Sequence, residues 1–295
     1  MSRFDADWLR LREPFDAAAR DGDLARRFGA ALGVRQKEPR RIVDLAAGTG
    51  ASFRALAPRL GGDQDWLLVD HDPLLIAAQA AEISIWSRTQ DWHCRAVSGG
   101  VEVDSGFGRW CARARTLDLA QRLEEVDFTA CEGVTTAAFL DLVSAAWLDR
   151  LCTLLIRARV PVLATLTVDG RRKWHPPLPA DLALDDAFRR HQAGDKGFGP
   201  AQGALAAPYL ANRLAARGYK VTTARSDWRI ATAHSDMLLR MIDEATAVAG
   251  EAEPAEAAVF GGWSGERHAQ ARSGLLSLEI GHLDLLAIPG ERLHS

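Results

Sequence analysis

The segment 41–54 constrains the fold most, because it joins a buried strand, a glycine loop and the start of a helix. Ile42 and Val43 are typical of a strand that is buried on both faces. Gly48 and Gly50 follow the strand and let backbone N–H groups approach a ligand. In an α/β sheet, such a turn after the first strand binds nucleotide-like ligands, helped by the helix dipole. We therefore predict an α/β fold with a nucleotide-type site at this turn.

A second apolar strand, residues 65–70, ends in Asp70, twenty residues after Gly50. A carboxylate at this position can bind both hydroxyls of a ribose. A dinucleotide-binding fingerprint also requires a third glycine, and Phe53 occupies that position. An NAD-dependent oxidoreductase is therefore the weaker alternative.

The two segments together resemble motifs I and II of the class I S-adenosylmethionine-dependent methyltransferases. The matching residues are Asp44-x-Ala46-x-Gly48-x-Gly50 and Val69-Asp70-His71-Asp72-Pro73. The resemblance implies a Rossmann-like, seven-stranded mixed sheet flanked by helices, with strand order 3-2-1-4-5-7-6 and an antiparallel last strand. It also implies the cofactor S-adenosyl-L-methionine and the product S-adenosyl-L-homocysteine. Ala46 departs from the family pattern, which has glycine at that position.

The resemblance also implies roles for individual residues. The glycine loop passes under the methionine part of the cofactor, and Asp70 binds the ribose. Arg12 is the candidate for the cofactor's carboxylate, or else an exposed arginine paired with a nearby acid. Asp118 is the candidate for the adenine amino group, or else a helix N-cap. The expected cofactor-binding residues are Arg12, Asp44, Ala46, Gly48, Thr49, Gly50, Asp70, His71, Asp118, Leu119 and Ala138.

Length and composition narrow the class of protein. With 295 residues and 47% hydrophobic residues, we expect one methyltransferase domain, 1–295, with a sizeable core. The net charge of −3 gives no basic field for nucleic acid, so we expect no nucleic-acid partner. Four scattered cysteines and no apolar signal segment predict a cytoplasmic protein. No stretch reaches the ~18 apolar residues of a membrane span, so we expect no membrane partner.

The order of predicted elements follows the family plan. Two amphipathic helices within residues 5–32 form an N-terminal helical cover, 1–36. Short strands near 95–97 and 101–103 are interpreted as an addition to the core sheet. The remaining core strands are predicted at 111–117, 133–139, 160–168, 219–224 and 278–288, and a helix with an apolar flank starts at 140–148.

An inserted lid is predicted at residues 169–205, after the fifth strand. Asp169-Gly170 predicts a tight hairpin turn, followed by a helix at 184–192 and a glycine-rich loop at 194–200. Because the insertion follows the carboxyl end of a strand, we expect it above the pocket. The expected substrate-binding residues are Trp174, His191, Asp195, Lys196 and Phe198; the alternative is that His191, Asp195 and Lys196 cap the helix and solvate the loop.

Methyl transfer from a sulfonium requires an in-line approach and a base only where the acceptor loses a proton. Candidate catalytic bases are His71, Asp141 and His191, each also explicable as an ordinary surface or packing residue. DNA and protein amide methyltransferases have Asn/Asp-Pro-Pro-Tyr after the fourth strand, and cytosine methyltransferases have Pro-Cys there. Neither motif occurs in this chain, so methylation of these acceptors is disfavoured. We expect no metal and a small organic acceptor methylated at oxygen or nitrogen. A non-catalytic S-adenosylmethionine-binding protein remains a further alternative.

Overall fold

The computed structural model describes residues 5–33 and 39–290. Two helices precede the sheet, α1 (Ala6–Ala19) and α2 (Gly22–Ala31). Each begins at an aspartate whose carboxylate accepts from a first-turn amide: Asp5 from Trp8 at 2.7 Å, and Asp21 from Leu24 at 2.8 Å. The predicted cover, 1–36, therefore contains two helices, and its residues 1–4 and 34–36 lie outside the described residues.

Ten strands of the described chain form one sheet. Their bounds are β1 (Arg40–Leu45), β2 (Gln64–Asp70), β3 (His93–Val97), β4 (Gly100–Asp104), β5 (Arg109–Thr116), β6 (Gly133–Ala137), β7 (Val162–His175), β8 (Tyr219–Arg225), β9 (Trp228–Ile230) and β10 (Ser277–Pro289). The order is β3-β4-β5-β2-β1-β6-β7-β10-β8, with β9 paired to β10. Strands β5, β2, β1, β6 and β7 are parallel, whereas β10 is antiparallel to both neighbours.

The seven core strands confirm the predicted order 3-2-1-4-5-7-6, but the predicted total of seven strands is too low. The hairpin β3–β4 adds two antiparallel strands beside β5, so the addition expected near residues 95–103 joins the sheet. The third extra strand, β9, is only three residues long and pairs with the first residues of β10, Leu278 to Ile280. Such a short strand carries too little sequence pattern to be predicted.

The predicted hairpin turn at Asp169-Gly170 is wrong, because β7 continues through it to His175. Gly170 has φ 84°, and the pairing with β10 is irregular between Ile280 and His282. Asp169 accepts a hydrogen bond from the Arg171 amide at 3.0 Å, which closes a local bulge. The glycine therefore accommodates extra residues within one strand, and the chain does not reverse.

Helices cover both faces of the sheet. Their bounds are α3 (Ala51–Leu60), α4 (Pro73–Thr89), α5 (Leu119–Arg122), α6 (Ala145–Ala158), α7 (Asp181–Gln192), α8 (Ala206–Ala215), α9 (Ser235–Ala252) and α10 (Ala257–Arg272). One core lies between the sheet and α6 and α8, and a second between the sheet and α2 and α3. The predicted helix start at 140–148 is a short 3-10 turn, Leu140–Leu142, followed by α6, whose N-cap is Ser144.

A third core joins α1, α7, α9 and α10 to the outer ends of β7 and β10. The start of α7 is fixed to α10, since Asp181 accepts from Arg267 at 2.5 and 2.7 Å and from Trp263 at 2.7 Å. The Arg267 side chain is fully buried. The helix of the predicted lid, α7, is thus packed into a helical layer, and the action of the segment as a lid stays a prediction.

Across residues 5–33 and 39–290, the helices are all too short or too polar to traverse a lipid bilayer.

Candidate functional site

The glycine loop between β1 and α3 has a left-handed backbone at three alternate residues. Ala46, Gly48 and Gly50 have φ values of 54°, 53° and 85°. Glycine adopts this conformation without the steric cost that a Cβ atom brings. This explains why the family pattern has glycine where Ala46 stands. Ala46 adopts this left-handed backbone although it carries a Cβ atom.

Asp70 lies at the end of β2, next to the loop, and is 5% exposed. Its Oδ2 accepts from the Gly48 amide at 2.8 Å, and its Oδ1 accepts from the Asp72 amide at 3.0 Å. Each carboxylate oxygen has a second lone-pair direction for a further donor. The carboxylate therefore fixes the loop and still has the capacity to accept from ligand hydroxyls.

The end of β5 forms the next side of this edge. The Leu117 amide donates to the Asp70 carbonyl at 2.8 Å, which joins the ends of β5 and β2. Asp118 caps α5, accepting from the Ala120 amide at 2.8 Å, and is exposed. Leu119 is buried, and its carbonyl accepts from the Trp147 indole at 2.7 Å. Asp118 and Leu119 thus directly follow the strand end that is joined to Asp70, and the capping alternative is realised for Asp118. Contact of these residues with an adenine ring stays a prediction.

Thr49, His71 and Ala138 are three further predicted cofactor residues. Thr49 is buried within the loop, and Ala138 follows β6 with φ 50°. The His71 ring is 71% exposed, with Nδ1 3.4 Å from Asp70 Oδ1. The structure therefore brings residues from the ends of β1, β2, β5 and β6 to one edge of the sheet. Their contacts with a cofactor remain predictions.

Two side chains that were not predicted support the loop. Gln79 of α4 donates to the Gly48 carbonyl at 2.8 Å, while its own buried Oε1 has no protein partner within the described ranges. Arg54 of α3 donates to the Thr49 carbonyl at 2.6 Å and to Glu13 of α1 at 2.7 and 2.5 Å. Arg54 lies four residues after Gly50, one helical turn into α3. That spacing is the only sequence signal of its role.

Helix α1 lies over the loop and over the sheet edge beside it. A Cβ atom on Gly48 would lie 3.1 Å from Leu9 Cδ1. Arg12 forms a double hydrogen bond with Asp16, at 2.9 and 3.1 Å, and its guanidinium lies 4.8 Å from the Trp228 ring centre. Arg12 is 9% exposed. The alternative for Arg12 is an exposed arginine paired with a nearby acid. The pairing with an acid is observed, but the side chain is buried and not exposed.

A layer of buried polar residues lies beneath α1 across four neighbouring strands. Asp44 of β1 accepts from the Thr135 hydroxyl of β6 at 2.7 Å. Arg20, which ends α1, donates to the Thr165 hydroxyl of β7. In β10, Asp284 accepts from the Leu166 and Asp21 amides, both at 2.8 Å. We call the residues Asp44, Thr135, Thr165, His282 and Asp284 the polar layer.

Burial shifts the pKa values of three side chains in the polar layer. Desolvation raises the pKa of Asp44 to about 7, against the lowering effects of Thr135 and Arg20. Burial also raises the pKa of Asp284. Burial lowers the pKa of His282 to about 4, so its ring is neutral near pH 7. Asp44 Oδ2, Arg20 Nε and His282 Nδ1 are buried without a hydrogen-bond partner in the described chain. Unsatisfied buried groups are costly and cluster at functional sites.

The raised pKa of Asp44 predicts a pH-dependent stability difference. The native state keeps the Asp44 proton up to about pH 7, whereas the unfolded chain releases it near the ordinary value of 3.8. The resulting penalty accumulates as pH rises between these values. Urea unfolding should therefore show the Asp44→Asn variant gaining about 2–3 kcal/mol relative to the parent between about pH 4.5 and 7.5. A difference that does not change with pH would contradict the raised pKa.

Asp141 lies in the 3-10 turn after β6 and is 6% exposed. Its Oδ1 is buried without a hydrogen-bond partner among the residues described. Burial raises its pKa to about 6, opposed by its own backbone amide, by the Arg12 charge and by the Val168 amide. A desolvated carboxylate with a pKa near neutrality suits a general base. Asp141 is the predicted base that the structure places inside the protein.

The lid residues lie in two places. Phe198 packs edge-to-face on Phe139 and Trp147, with ring centres 5.2 and 5.9 Å apart, so its loop lies beside the end of β6. Asp195 accepts from the Gly197 and Gly199 amides at 2.7 and 2.9 Å and so holds that loop.

His191 and Lys196 are together at the end of α7. Lys196 donates to the His191 carbonyl at 3.0 Å, and His191 Nε2 lies 3.1 Å from Glu251 of α9. Trp174 is 3% exposed and packs on Trp263 in the third core. These contacts match the helix-capping alternative for His191 and Lys196. Their binding of an acceptor stays a prediction.

No protein-family model and no curated protein sequence matches the chain. Its structure is similar to that of a cyclopropane-fatty-acyl-phospholipid synthase-like protein from Lactobacillus casei, with TM-score 0.50, 13% identity and coverage of 96% of this chain and 94% of that one. A cyclopropane synthase from Mycobacterium tuberculosis has TM-score 0.46, 14% identity and coverage of 95% and 94%. A methyltransferase from Thiobacillus denitrificans, solved with S-adenosyl-L-homocysteine, has TM-score 0.42, 15% identity and coverage of 96% and 98%.

The observed strand order and the likeness at TM-score 0.50 confirm the predicted fold class. The chain has the Rossmann-like mixed α/β fold of the class I methyltransferases, with three strands added to the seven-stranded core.

Proposed function

We propose that this protein is an S-adenosyl-L-methionine-dependent methyltransferase. One observation carries the proposal: the Asp70 carboxylate and the left-handed loop of Gly48 are hydrogen-bonded together at the carboxyl edge between β2 and β1. In open α/β sheets, ligands bind outside the carboxyl ends of the strands at the switch in strand order, which here lies between β1 and β6, beside this pair. The neighbouring atoms Asp44 Oδ2 and Gln79 Oε1, which have no hydrogen-bond partner within residues 5–33 and 39–290, give a cofactor further polar partners.

Phe53 favours this cofactor over NAD. The ring is fully buried and packs edge-to-face on Trp66 and Trp86, with ring centres 5.6 and 5.9 Å apart. In a dinucleotide-binding fold, the third glycine lets the helix pack closely on the strand. Here α3 packs through the large Phe53 ring on an aromatic cluster. It therefore lacks the close contact between helix and strand that a third glycine allows.

The chemistry requires little beyond positioning. When bound, S-adenosyl-L-methionine supplies an electrophilic methyl group on its sulfonium. The protein holds the acceptor for in-line attack, and Asp141 accepts the proton that a hydroxyl or amine acceptor must lose. We infer a small organic acceptor with such a removable proton on oxygen or nitrogen. Arg12 lies close enough to stabilise the ionised Asp141 electrostatically.

We expect Asp141→Asn to lower kcat by about 10²–10⁴-fold, because the amide accepts no proton from the acceptor. The affinity for S-adenosyl-L-homocysteine should stay within about twofold, since this residue follows β6 and is not part of the glycine loop. Asp149→Asn is the matched control, because the Asp149 carboxylate is half-exposed and hydrogen-bonded to Tyr209 and Arg213. The turnover of the two variants is compared. Equal turnover in both variants would remove Asp141 from the mechanism.

The proposal as a whole is tested by native mass spectrometry of ligands that copurify with the protein. S-adenosyl-L-methionine or S-adenosyl-L-homocysteine is expected at one molecule per chain. A bound nicotinamide cofactor in their place would support the oxidoreductase alternative. Binding without transfer to any amine or hydroxyl compound in a broad metabolite extract would support the non-catalytic alternative.

A further inference from the structure

Arg54 links the glycine loop to α1 through an almost fully enclosed guanidinium group. Its side chain is 3% exposed. Nη1 donates to the Thr49 carbonyl at 2.6 Å, while Nε and Nη2 donate to the two carboxylate oxygens of Glu13 at 2.7 and 2.5 Å. Because a guanidinium is planar and rigid, a double bond of this kind fixes orientation as well as distance. The position of Glu13 is therefore set by the position of Thr49.

Helix α1 carries two neighbouring pairs of residues with different contacts. Leu9 and Glu13, four residues apart, meet the glycine loop directly and through Arg54. Arg12 and Asp16, also four apart, lie near the polar layer: Asp16 accepts from the Trp228 indole at 3.0 Å, and the Trp228 ring centre lies 5.1 Å from that of His282. Residues four apart lie on the same side of a helix, so one rigid element contacts both regions.

We propose that Arg54 is a positioning residue that couples the seating of the cofactor in the glycine loop to the placement of α1 over the polar layer. This inference rests on the proposed function. It predicts an order of binding, in which the cofactor sets the loop and α1 then completes the acceptor side. The acceptor should therefore bind tightly only to the cofactor complex.

The exposure of the two partners shows which one is free to move. Glu13 is 27% exposed, whereas Arg54 is 3% exposed. If the pair separates, the Glu13 carboxylate can be hydrated at small cost, but the Arg54 charge would stay in the interior. We therefore expect Arg54 to stay bound to the glycine loop when the pair separates, and α1, which carries Glu13, to move away from the loop.

The test compares two variants with the same chemical change. Glu13→Gln weakens the link between α1 and the loop. Glu82→Gln removes the negative charge that pairs with Arg10 across 2.7 Å, and so weakens the contact of α1 with α4 without touching the loop; Arg10 keeps its second partner, Asp7. For each variant, calorimetry gives the affinity for S-adenosyl-L-homocysteine, and amide hydrogen exchange gives the protection of residues 9–19 that this ligand produces. Arg54→Lys serves as a second probe, since one ammonium cannot replace the planar fork.

In the parent, the ligand should slow exchange in α1 by about tenfold or more, the size of a typical coupling between sites. Glu13→Gln and Arg54→Lys should lose most of this slowing and bind the ligand about tenfold more weakly, whereas Glu82→Gln should retain both properties. Equal behaviour of Glu13→Gln and Glu82→Gln, with the parent binding normally, would overturn this inference alone. Failure of the parent to bind S-adenosyl-L-homocysteine would overturn the proposed function, and this inference with it.

Discussion

Replacing Phe53 with alanine is expected to lower the free energy of unfolding by about 3–5 kcal/mol, because a fully buried ring is removed and a cavity remains. The ring makes edge-to-face contacts with Trp66 and Trp86, and the helix that carries it opens at Gly50. Urea denaturation measures the loss. Phe107→Ala is the matched control, since Phe107 is 74% exposed and its loss should cost less than about 0.5 kcal/mol.

If Phe53→Ala proves too unstable to purify, Phe53→Leu should lose a smaller amount of stability and still show the trend. A loss below about 1 kcal/mol for Phe53→Ala would show that the aromatic cluster does not support the helix, since buried Phe→Ala changes usually cost far more. The comparison matters for function because this position distinguishes the loop from a dinucleotide fingerprint.

The second large effect is expected at Asp70, the position proposed to bind the ribose. Asp70→Ala should weaken S-adenosyl-L-homocysteine binding by about 1.5–3 kcal/mol through the lost charge-assisted hydrogen bonds. The variant also leaves the Gly48 amide without its acceptor, so the loop becomes less well fixed. Calorimetry measures the affinity, with Asp236→Ala as an exposed aspartate control on α9. Unchanged affinity in an Asp70→Ala protein that unfolds like the parent would exclude Asp70 as the ribose ligand.

The loop and its acid could be predicted because they are local. Gly48, Gly50 and Asp70 end or follow strands whose apolar runs are evident in the sequence, and parallel strand ends meet at one edge. The core strand order followed from the family resemblance. Whether alanine at position 46 could adopt the loop conformation was not predictable, because a sequence does not show that Ala46 has φ 54°.

The polar layer could not be predicted, because its parts are distant in sequence. Arg20 reaches Thr165, and Asp21 reaches Asp284, only after β7 and β10 have paired beneath α1. Asp-Gly at 169–170 gave a misleading local signal, because long-range pairing with β10 outweighed the preference for a turn. The contact of Glu13 with Arg54 likewise depends on how α1 crosses the loop.

The central claim is that the loop and Asp70 hold S-adenosyl-L-methionine or its product. Calorimetric titration of the purified protein with S-adenosyl-L-homocysteine, and separately with NAD, tests it most directly. We expect one site with a Kd of about 1 µM for S-adenosyl-L-homocysteine, roughly −8 kcal/mol, and no saturable heat with NAD. Saturation by NAD with no response to S-adenosyl-L-homocysteine would contradict the account.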